Sequence, residues 1–323
     1  MNLGSIVLLV YFIIAIIALI VFIIRKYYWK KVDVKNKTVV ITGGSSGVGL
    51  SLAQESFNRG AGKVVLIARN QLKLDSAKKS LKTTPDQEII TISADLCKVS
   101  EVISAFDEIR NHMKKIDFLF INAGSAQPQL LKDMTYDDIE SQTNVNFTSA
   151  LLTMKAALPF LGEGSHVNFS GSICSIYTFS GYAGYGSAKF ALRGLGDTLR
   201  NEFKHTGIKI HFSIISSVDT PGYKVECLKK PLSCQKIEGT CTLFKPEYIA
   251  SMIFRGIDRG DYYITMEFLS YIMLEINYGI EPSNNFFLQL LVAPLIPLFR
   301  LGALIYADNL SKYSDPLIKE KVE

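Results

Sequence analysis

Three hydrophobic patterns divide the chain. From Leu3 to Ile24 almost every position is apolar, a run of 22 residues without a charge. About 20 helical residues at 1.5 Å rise cross the hydrocarbon core of a bilayer, so the run predicts a transmembrane helix. No Lys or Arg precedes it and no small-residue cleavage site follows it, which separates it from a signal peptide. Arg25, Lys26, Tyr27, Tyr28, Trp29, Lys30 and Lys31 come next, an aromatic belt with a basic cluster. By the positive-inside rule the N-terminus lies outside or in a lumen and the rest begins in the cytosol.

From Lys37 the period changes. Short β-branched runs alternate with longer amphipathic stretches. Strands are predicted over Thr38–Thr42, Lys63–Ala68, Glu88–Ser93, Phe118–Asn122, Ser165–Phe169 and Lys209–Ile215. Helices are predicted near Val48–Arg59, Leu72–Lys82, Ser100–Met113, Tyr136–Ser141, Ala150–Leu161 and Tyr185–His205. Thr135 followed by Asp138 reads as an N-cap with a first-turn acid. Near-continuous apolar strands between helices imply an α/β domain, a doubly wound parallel sheet covered on both faces.

The third pattern is Phe286–Tyr306, again apolar but broken by Gln289, Pro294, Pro297 and Arg300. A clean span seldom carries two prolines and an Arg at its centre. A membrane-embedded or interfacial segment is the leading reading. A second span or hairpin with Phe268–Ile280, and a buried core or dimer helix, stay open. The expected organisation is an anchor over 1–24, a basic and aromatic linker over 25–36 and a catalytic domain over 37–265. An apolar membrane-associated or substrate-access region over 266–310 and a polar tail over 311–323 complete it.

Composition adds little that is new. Hydrophobic residues make up 48% of the 323 positions, and the net charge is +5. No Lys/Arg block suggests nucleic acid, so attraction to an anionic membrane face is the expected use of the charge. Cys97, Cys174, Cys227, Cys234 and Cys241 form no CxxC pair and have no metal-ligand spacing. Reduced thiols and no metal site are expected. Three Asn-x-Ser/Thr triplets, at Asn36, Asn146 and Asn168, read as chance matches in a cytosolic domain.

Candidate chemistry begins at Thr42-Gly43-Gly44-Ser45-Ser46-Gly47-Val48-Gly49, between the first strand and the first helix. Gly43 permits the tight turn, Gly47 close backbone approach to a pyrophosphate, and Gly49 close packing of helix on strand. Ser45, Ser46 and Val48 complete the turn that presents the helix N-terminus to phosphate. The second strand ends in Arg69 where an acid would bind a ribose 2′-hydroxyl. Arg69, with Lys73, offers cations to a 2′-phosphate, so NADPH is the expected cofactor. Asp95 and Leu96 follow the third strand toward the adenine, and Asn122, Ala123 and Gly124 close the fourth.

Tyr185 and Lys189 stand four apart, on one face of a helix. A free phenol has a pKa of about 10, and a neighbouring ammonium favours its phenolate. Ser172 lies 13 residues earlier, just beyond the fifth strand, where parallel sheets bind ligands.

These motifs together, with Asn146, resemble the short-chain dehydrogenase/reductase family from about Lys37 to Gly222. The resemblance implies a Rossmann-type single domain. It also implies that Ser172 binds a substrate carbonyl, Tyr185 donates the proton, Lys189 holds the nicotinamide ribose and lowers the Tyr185 pKa, and Asn146 holds a water leading to Lys189. Asn144 is the competing choice for Asn146. Val218 and Thr220 fall where the family contacts the nicotinamide. Two departures stand out: Ile215-Ser216 replaces the usual Pro-Gly, and Gly171 precedes Ser172 where a Ser is usual.

Local matches at Lys189–Gly194, Asp219–Tyr223 and Lys230–Glu247 resemble the branch of the family that reduces long-chain sphingoid ketones. This implies a long-chain lipid ketone as substrate and the endoplasmic reticulum membrane as the location, with the catalytic domain facing the cytosol. Lys319 and Lys321 near the tail fit a dilysine-type retrieval signal. The family also implies a homo-oligomer paired through the helices carrying Asn146 and Tyr185. Two rivals remain: a microsomal reductase of 3-ketoacyl-CoA, retinoids or steroids, and a non-catalytic NADPH-binding scaffold.

Overall fold

The computed structural model describes residues 3–27, 31–228, 230–239, 241–276, 286–298, 301–302 and 305. Seven strands form one sheet: β1 (Thr38–Thr42), β2 (Lys63–Ala68), β3 (Glu88–Ser93), β4 (Phe118–Ile121), β5 (His166–Ser170), β6 (Lys209–Ile214) and β7 (Tyr263–Thr265). Every neighbouring pair is parallel, in the order β3-β2-β1-β4-β5-β6-β7. The six predicted strands appear within one residue of their expected ends. β7 has three residues, too few for a period to register.

The helices are α1 (Leu3–Tyr27), α2 (Gly47–Asn58), α3 (Gln71–Ser80), α4 (Val99–His112), α5 (Tyr136–Thr143), α6 (Ser149–Ala157) and α7 (Ala183–Glu202). They continue with α8 (Pro221–Cys227), α9 (Leu232–Glu238), α10 (Pro246–Arg259), α11 (Phe268–Ile276) and α12 (Phe286–Val292). At α5 the expected cap is a full capping box. The Asp138 amide donates to Thr135 Oγ1 (3.1 Å) and the Thr135 amide to Asp138 Oδ2 (2.9 Å). α8, α9 and α10 were not anticipated. The first two are seven residues long, below the length at which an amphipathic stripe stands out.

Alternation along the strands builds two cores, one on each face. Val39 and Ile41 pack with Leu52, Leu66 and Ile253, whereas Val40 packs with Ile109, Leu119 and Val167. A buried ion pair fastens the first layer. Arg59, the residue that ends α2, reaches Asp258 of α10 at 2.9 Å and lies over the Phe254 ring, and Asp258 also accepts from the Val32 amide (2.9 Å). The last contact holds the segment after α1 against the domain. Asn146 and Asn168 are buried, which puts these two triplets out of a glycosyltransferase's reach.

α1 packs against α12, with Ala18 buried and Leu8, Phe12 and Leu19 exposed. Among the described residues no helix is long and apolar enough to cross a membrane. Tyr28, Trp29, Lys30, Lys319 and Lys321 lie outside the described residues, as does most of 299–323.

Candidate active site

Strand order reverses direction between β1 and β4, and ligands of such sheets bind at that switch point. A cleft of about 1210 Å³ opens there. Gly43 closes β1 with φ +67°, a left-handed conformation suited to glycine, and its amide donates to Ile67 O (2.8 Å). A Cβ on Gly49 would lie 2.3 Å from Gly43 O, so α2 can approach this turn only with glycine at that position. Gly47 has φ +55° and faces Thr220. Ser46 caps α2 in extended conformation without a side-chain bond, leaving the first-turn N–H groups uncapped. Ser45, Ser46 and Val48 line the cleft beside them. This bare, donor-rich cradle fits a dinucleotide pyrophosphate.

Arg69 and Lys73 are exposed along the same cleft. Asn70 caps α3 by accepting from the Lys73 amide (3.0 Å), which fixes the turn between them. Asp95 accepts from the Cys97 amide (3.1 Å), and its own amide donates to Glu101 Oε2 (2.7 Å). Leu96 is buried under them. Asn122, Ala123 and Gly124 close β4. One hydroxyl, Thr42 Oγ1, accepts from the Asn122 and Ala123 amides (2.9 and 3.0 Å) and so ties the ends of β1 and β4 together. Sequence reasoning had given Thr42 no task.

Tyr185 and Lys189 lie in the first two turns of α7, Lys189 buried and Tyr185 partly buried. The Lys189 Nζ stands 5.6 Å from the centre of the Tyr185 ring and donates to Ser170 O (2.9 Å). Burial pulls the Lys189 ammonium down to about 8. The phenol does not follow the expected direction. Burial pushes Tyr185 well above its ordinary value, Cys174 adds to this, and a hydrogen bond with Ser172 opposes it. Lys189 is turned to the Ser170 carbonyl, and its effect on the phenol does not outweigh desolvation.

Ser172 opens a 3₁₀ turn, Ile173–Ser175; its Oγ accepts from the Cys174 amide (3.2 Å). Gly171 before it has a steric cause. A Cβ there would come within 2.2 Å of the Phe212 ring. Asn146 sits in a π-helical turn, Asn144–Thr148, between α5 and α6. Such turns often accompany functional sites. Its Nδ2 donates to Ser125 O (2.8 Å) and Gln142 O (3.0 Å), and its Oδ1 accepts from the Ser125 amide (3.0 Å). A Cβ on Gly124 would lie 3.0 Å from Asn146 Oδ1 and 3.4 Å from Lys189 Nζ, so the two side chains converge on Gly124. Asn144 instead bonds to Glu140 at the surface.

The loop after β6 is held from both sides. Val218 pairs with Phe244: the Asp219 amide donates to Phe244 O (2.8 Å) and the Phe244 amide to Ser217 O (2.9 Å). Thr220 caps α8 by accepting from the Tyr223 amide (3.0 Å). Where Pro-Gly was expected, Ser216 Oγ donates to Glu267 Oε1 (2.7 Å), just before α11.

A second group of polar residues was missed altogether. Tyr182 packs against Tyr185 with ring centres 5.7 Å apart. Its hydroxyl meets Glu226 (2.7 Å) and Glu238, and Lys230 bridges the same two carboxylates. The spacing of Glu226 and Lys230 was a readable signal, one helical turn apart. Tyr182 and Glu238 are 56 positions apart, and no local pattern joins them.

A protein-family model described as short chain dehydrogenase matches residues 37–226. A 3-dehydrosphinganine reductase of Arabidopsis thaliana is 31% identical over 300 residues, 91% of this chain and 89% of that protein. A 3-ketodihydrosphingosine reductase of Dictyostelium discoideum is 32% identical over 295 residues, covering 85% and 87%. A solved short-chain dehydrogenase/reductase of Burkholderia phymatum, in complex with NAD, superposes with a TM-score of 0.68. It covers 78% of this chain and 99% of its own at 18% identity, a likeness of fold. The family match spans more than half of the chain and ends in α8 beside the cleft, and on that ground the chain belongs to the short-chain dehydrogenase family, as an oxidoreductase acting on a ketone.

Proposed function

We propose that this enzyme reduces the 3-keto group of 3-ketosphinganine to sphinganine with NADPH, at the endoplasmic reticulum membrane with its catalytic domain in the cytosol. One observation carries the reading. The cleft that holds Ser172, Tyr185 and Lys189 continues along an apolar wall of Leu269, Ile272 and Met273 from α11. That wall suits an alkyl chain, and the curated relatives named for this reaction resemble the chain over most of its length.

Ser172 orients the ketone oxygen by a hydrogen bond. Tyr185, linked to Ser172, gives its phenolic proton to that oxygen. Lys189 would hold the ribose hydroxyls of the bound cofactor and keeps a positive charge near the phenol as the proton leaves. Asn146, joined to Ser125 and facing Gly124 with Lys189, carries the water through which Lys189 regains contact with solvent. Bound NADPH supplies the hydride. Arg69 and Lys73 would hold its 2′-phosphate, Asp95 and Leu96 its adenine, and Val218 and Thr220 its nicotinamide, all of which line the cleft.

The lipid substrate reaches the cleft from the bilayer. α11 forms the cleft wall and touches α12, which packs on α1, so an apolar path runs from the site to the proposed anchor. The test is NADPH oxidation by the purified full chain with 3-ketosphinganine, retinal, a ketosteroid and a 3-ketoacyl-CoA. Turnover with the first alone is expected. Turnover with any of the others but not the first would sink the proposal.

A further inference from the structure

The cleft changes electrical character along its length. Its dinucleotide end carries Arg69 and Lys73. Its substrate end is walled by Glu226, Glu238 and Glu267, with Lys189 the one cation there among the described residues. Glu267 is engaged by Ser216. Glu226 and Glu238 stand on α8 and α9, across from Tyr182.

The charges in this group do not balance. Lys230 meets Glu226 at 3.0 Å and also meets Glu238, but its side chain is only 3% exposed and it does not line the cleft. The cation therefore stands behind the two carboxylates, and the face toward the cleft is acidic. Two carboxylates and one ammonium leave a net charge of −1. The donors do not balance either. The Tyr182 oxygen is within bonding distance of both Glu226 and Glu238, yet a phenol has one hydrogen to give. With both carboxyls ionised, the group is short of one donor and one positive charge.

An ammonium supplies both. We propose that Glu226 and Glu238 determine specificity by receiving the protonated amine of an α-amino ketone, whose carbonyl carbon lies two bonds from that nitrogen, at Ser172 and Tyr185. This rests on the substrate reading above: 3-ketosphinganine carries an amine on the carbon next to its ketone. Such an amine is substantially charged near neutral pH, by analogy with an α-amino group of pKa about 8. The pairing also serves the chemistry. Glu226 and Glu238 both disfavour a phenolate at Tyr185, and burial holds the Glu226 carboxyl above its ordinary range. A substrate ammonium between them offsets that field as Tyr185 gives up its proton. The same wall repels a polyanionic thioester such as an acyl-CoA.

The test uses the full chain in detergent with NADPH. Two ketones of equal chain length are compared, 3-ketosphinganine and 1-hydroxyoctadecan-3-one, which lacks the amine. Wild type is expected to prefer the amino ketone in kcat/KM. Glu226→Gln and Glu238→Gln should each lower that preference about tenfold to a hundredfold, the worth of a hydrogen bond to a charged group. N-acetylated 3-ketosphinganine, which removes the charge and leaves the protein untouched, should lose a similar factor with wild type. Equal use of both ketones by wild type, or equal loss on both in the variants, overturns the amine site while leaving the reductase standing. Wild type that reduces neither ketone overturns the substrate reading and the site with it.

Discussion

The two halves of the cleft are built in opposite ways. The dinucleotide half comes from strand ends and the turns that follow them, each set by a short run of sequence: Gly43–Gly49, Arg69–Lys73, Asp95–Leu96 and Asn122–Gly124. The substrate half comes from α8, α9 and α11, joined to the core by side chains far apart in sequence: Tyr182 with Glu238, and Ser216 with Glu267. Parallel sheets leave the first kind of half nearly fixed, because glycines and caps are dictated by the backbone. The second is free to differ with the ligand. It follows that the halves should fail separately.

Tyr185→Phe gives the largest separation. Removing the proton donor should lower kcat by about 10²- to 10⁴-fold. NADPH affinity, followed by fluorescence titration, should stay near wild type, since the lost hydroxyl faces Ser172 and not the phosphate cradle. Joint loss of binding and turnover would show that the halves are one unit.

Arg69→Ala tests the other half. The exposed guanidinium is assigned to the 2′-phosphate, so NADPH should bind about tenfold to a hundredfold more weakly. NADH affinity should not change, nor should KM for the ketone at saturating NADPH. A matching loss for NADH would remove the 2′-phosphate assignment.

A third region serves as control. His166 and His211 stack in β5 and β6, with His166 Nδ1 and His211 Nε2 3.0 Å apart. His211 Nδ1 is 2.6 Å from Asp261 O, an acceptor only. His211 must therefore donate there, and His166 donates to its Nε2. Burial pulls His166 down to about 3 and His211 to about 4. Both lie below the ordinary 6.5, so between pH 6.5 and about 4 the unfolded chain binds more protons. Stability is full above that window and falls as pH drops through it, by up to about 1.4 kcal/mol per pH unit for each histidine. Thermal melts from pH 7.5 to 4.5 should show the slope. His166→Phe should reduce it without changing kcat at pH 7. An unchanged slope would mean the pair is not held neutral.

The same contrast explains what could be read from the sequence. The six longer strands announce themselves because apolar runs such as Val39-Val40-Ile41 are buried on both faces. The glycine turn and the pair Tyr185/Lys189 are legible because each is a local spacing. Gly171 looked like a departure and is a packing answer to Phe212, 41 residues later. The direction of the Tyr185 shift was misjudged for a related reason. Spacing shows that an ammonium is near, but not how much water burial removes. α8 and α9 are short, and their acids have meaning only opposite Tyr182. What sets Asn146 apart from Asn144 is its convergence with Lys189 on Gly124, a tertiary contact that no period reveals.

The smallest effect belongs to Lys189. Its ammonium, held down to about 8 by burial, is charged below that pH and neutral above it. The phenol of Tyr185 is pushed the other way and stays protonated throughout the same range. A fall in reductase activity above neutrality therefore belongs to the lysine. kcat should be about halved near pH 8 and then drop about tenfold per unit. Lys189→Arg separates charge from identity. A guanidinium does not deprotonate in this range, so the kcat that the variant keeps at saturating ketone should be flat through pH 8 and beyond. A variant profile that still bends at pH 8 would assign the titration to another group in the substrate half. The search would then turn to the amine of the substrate itself.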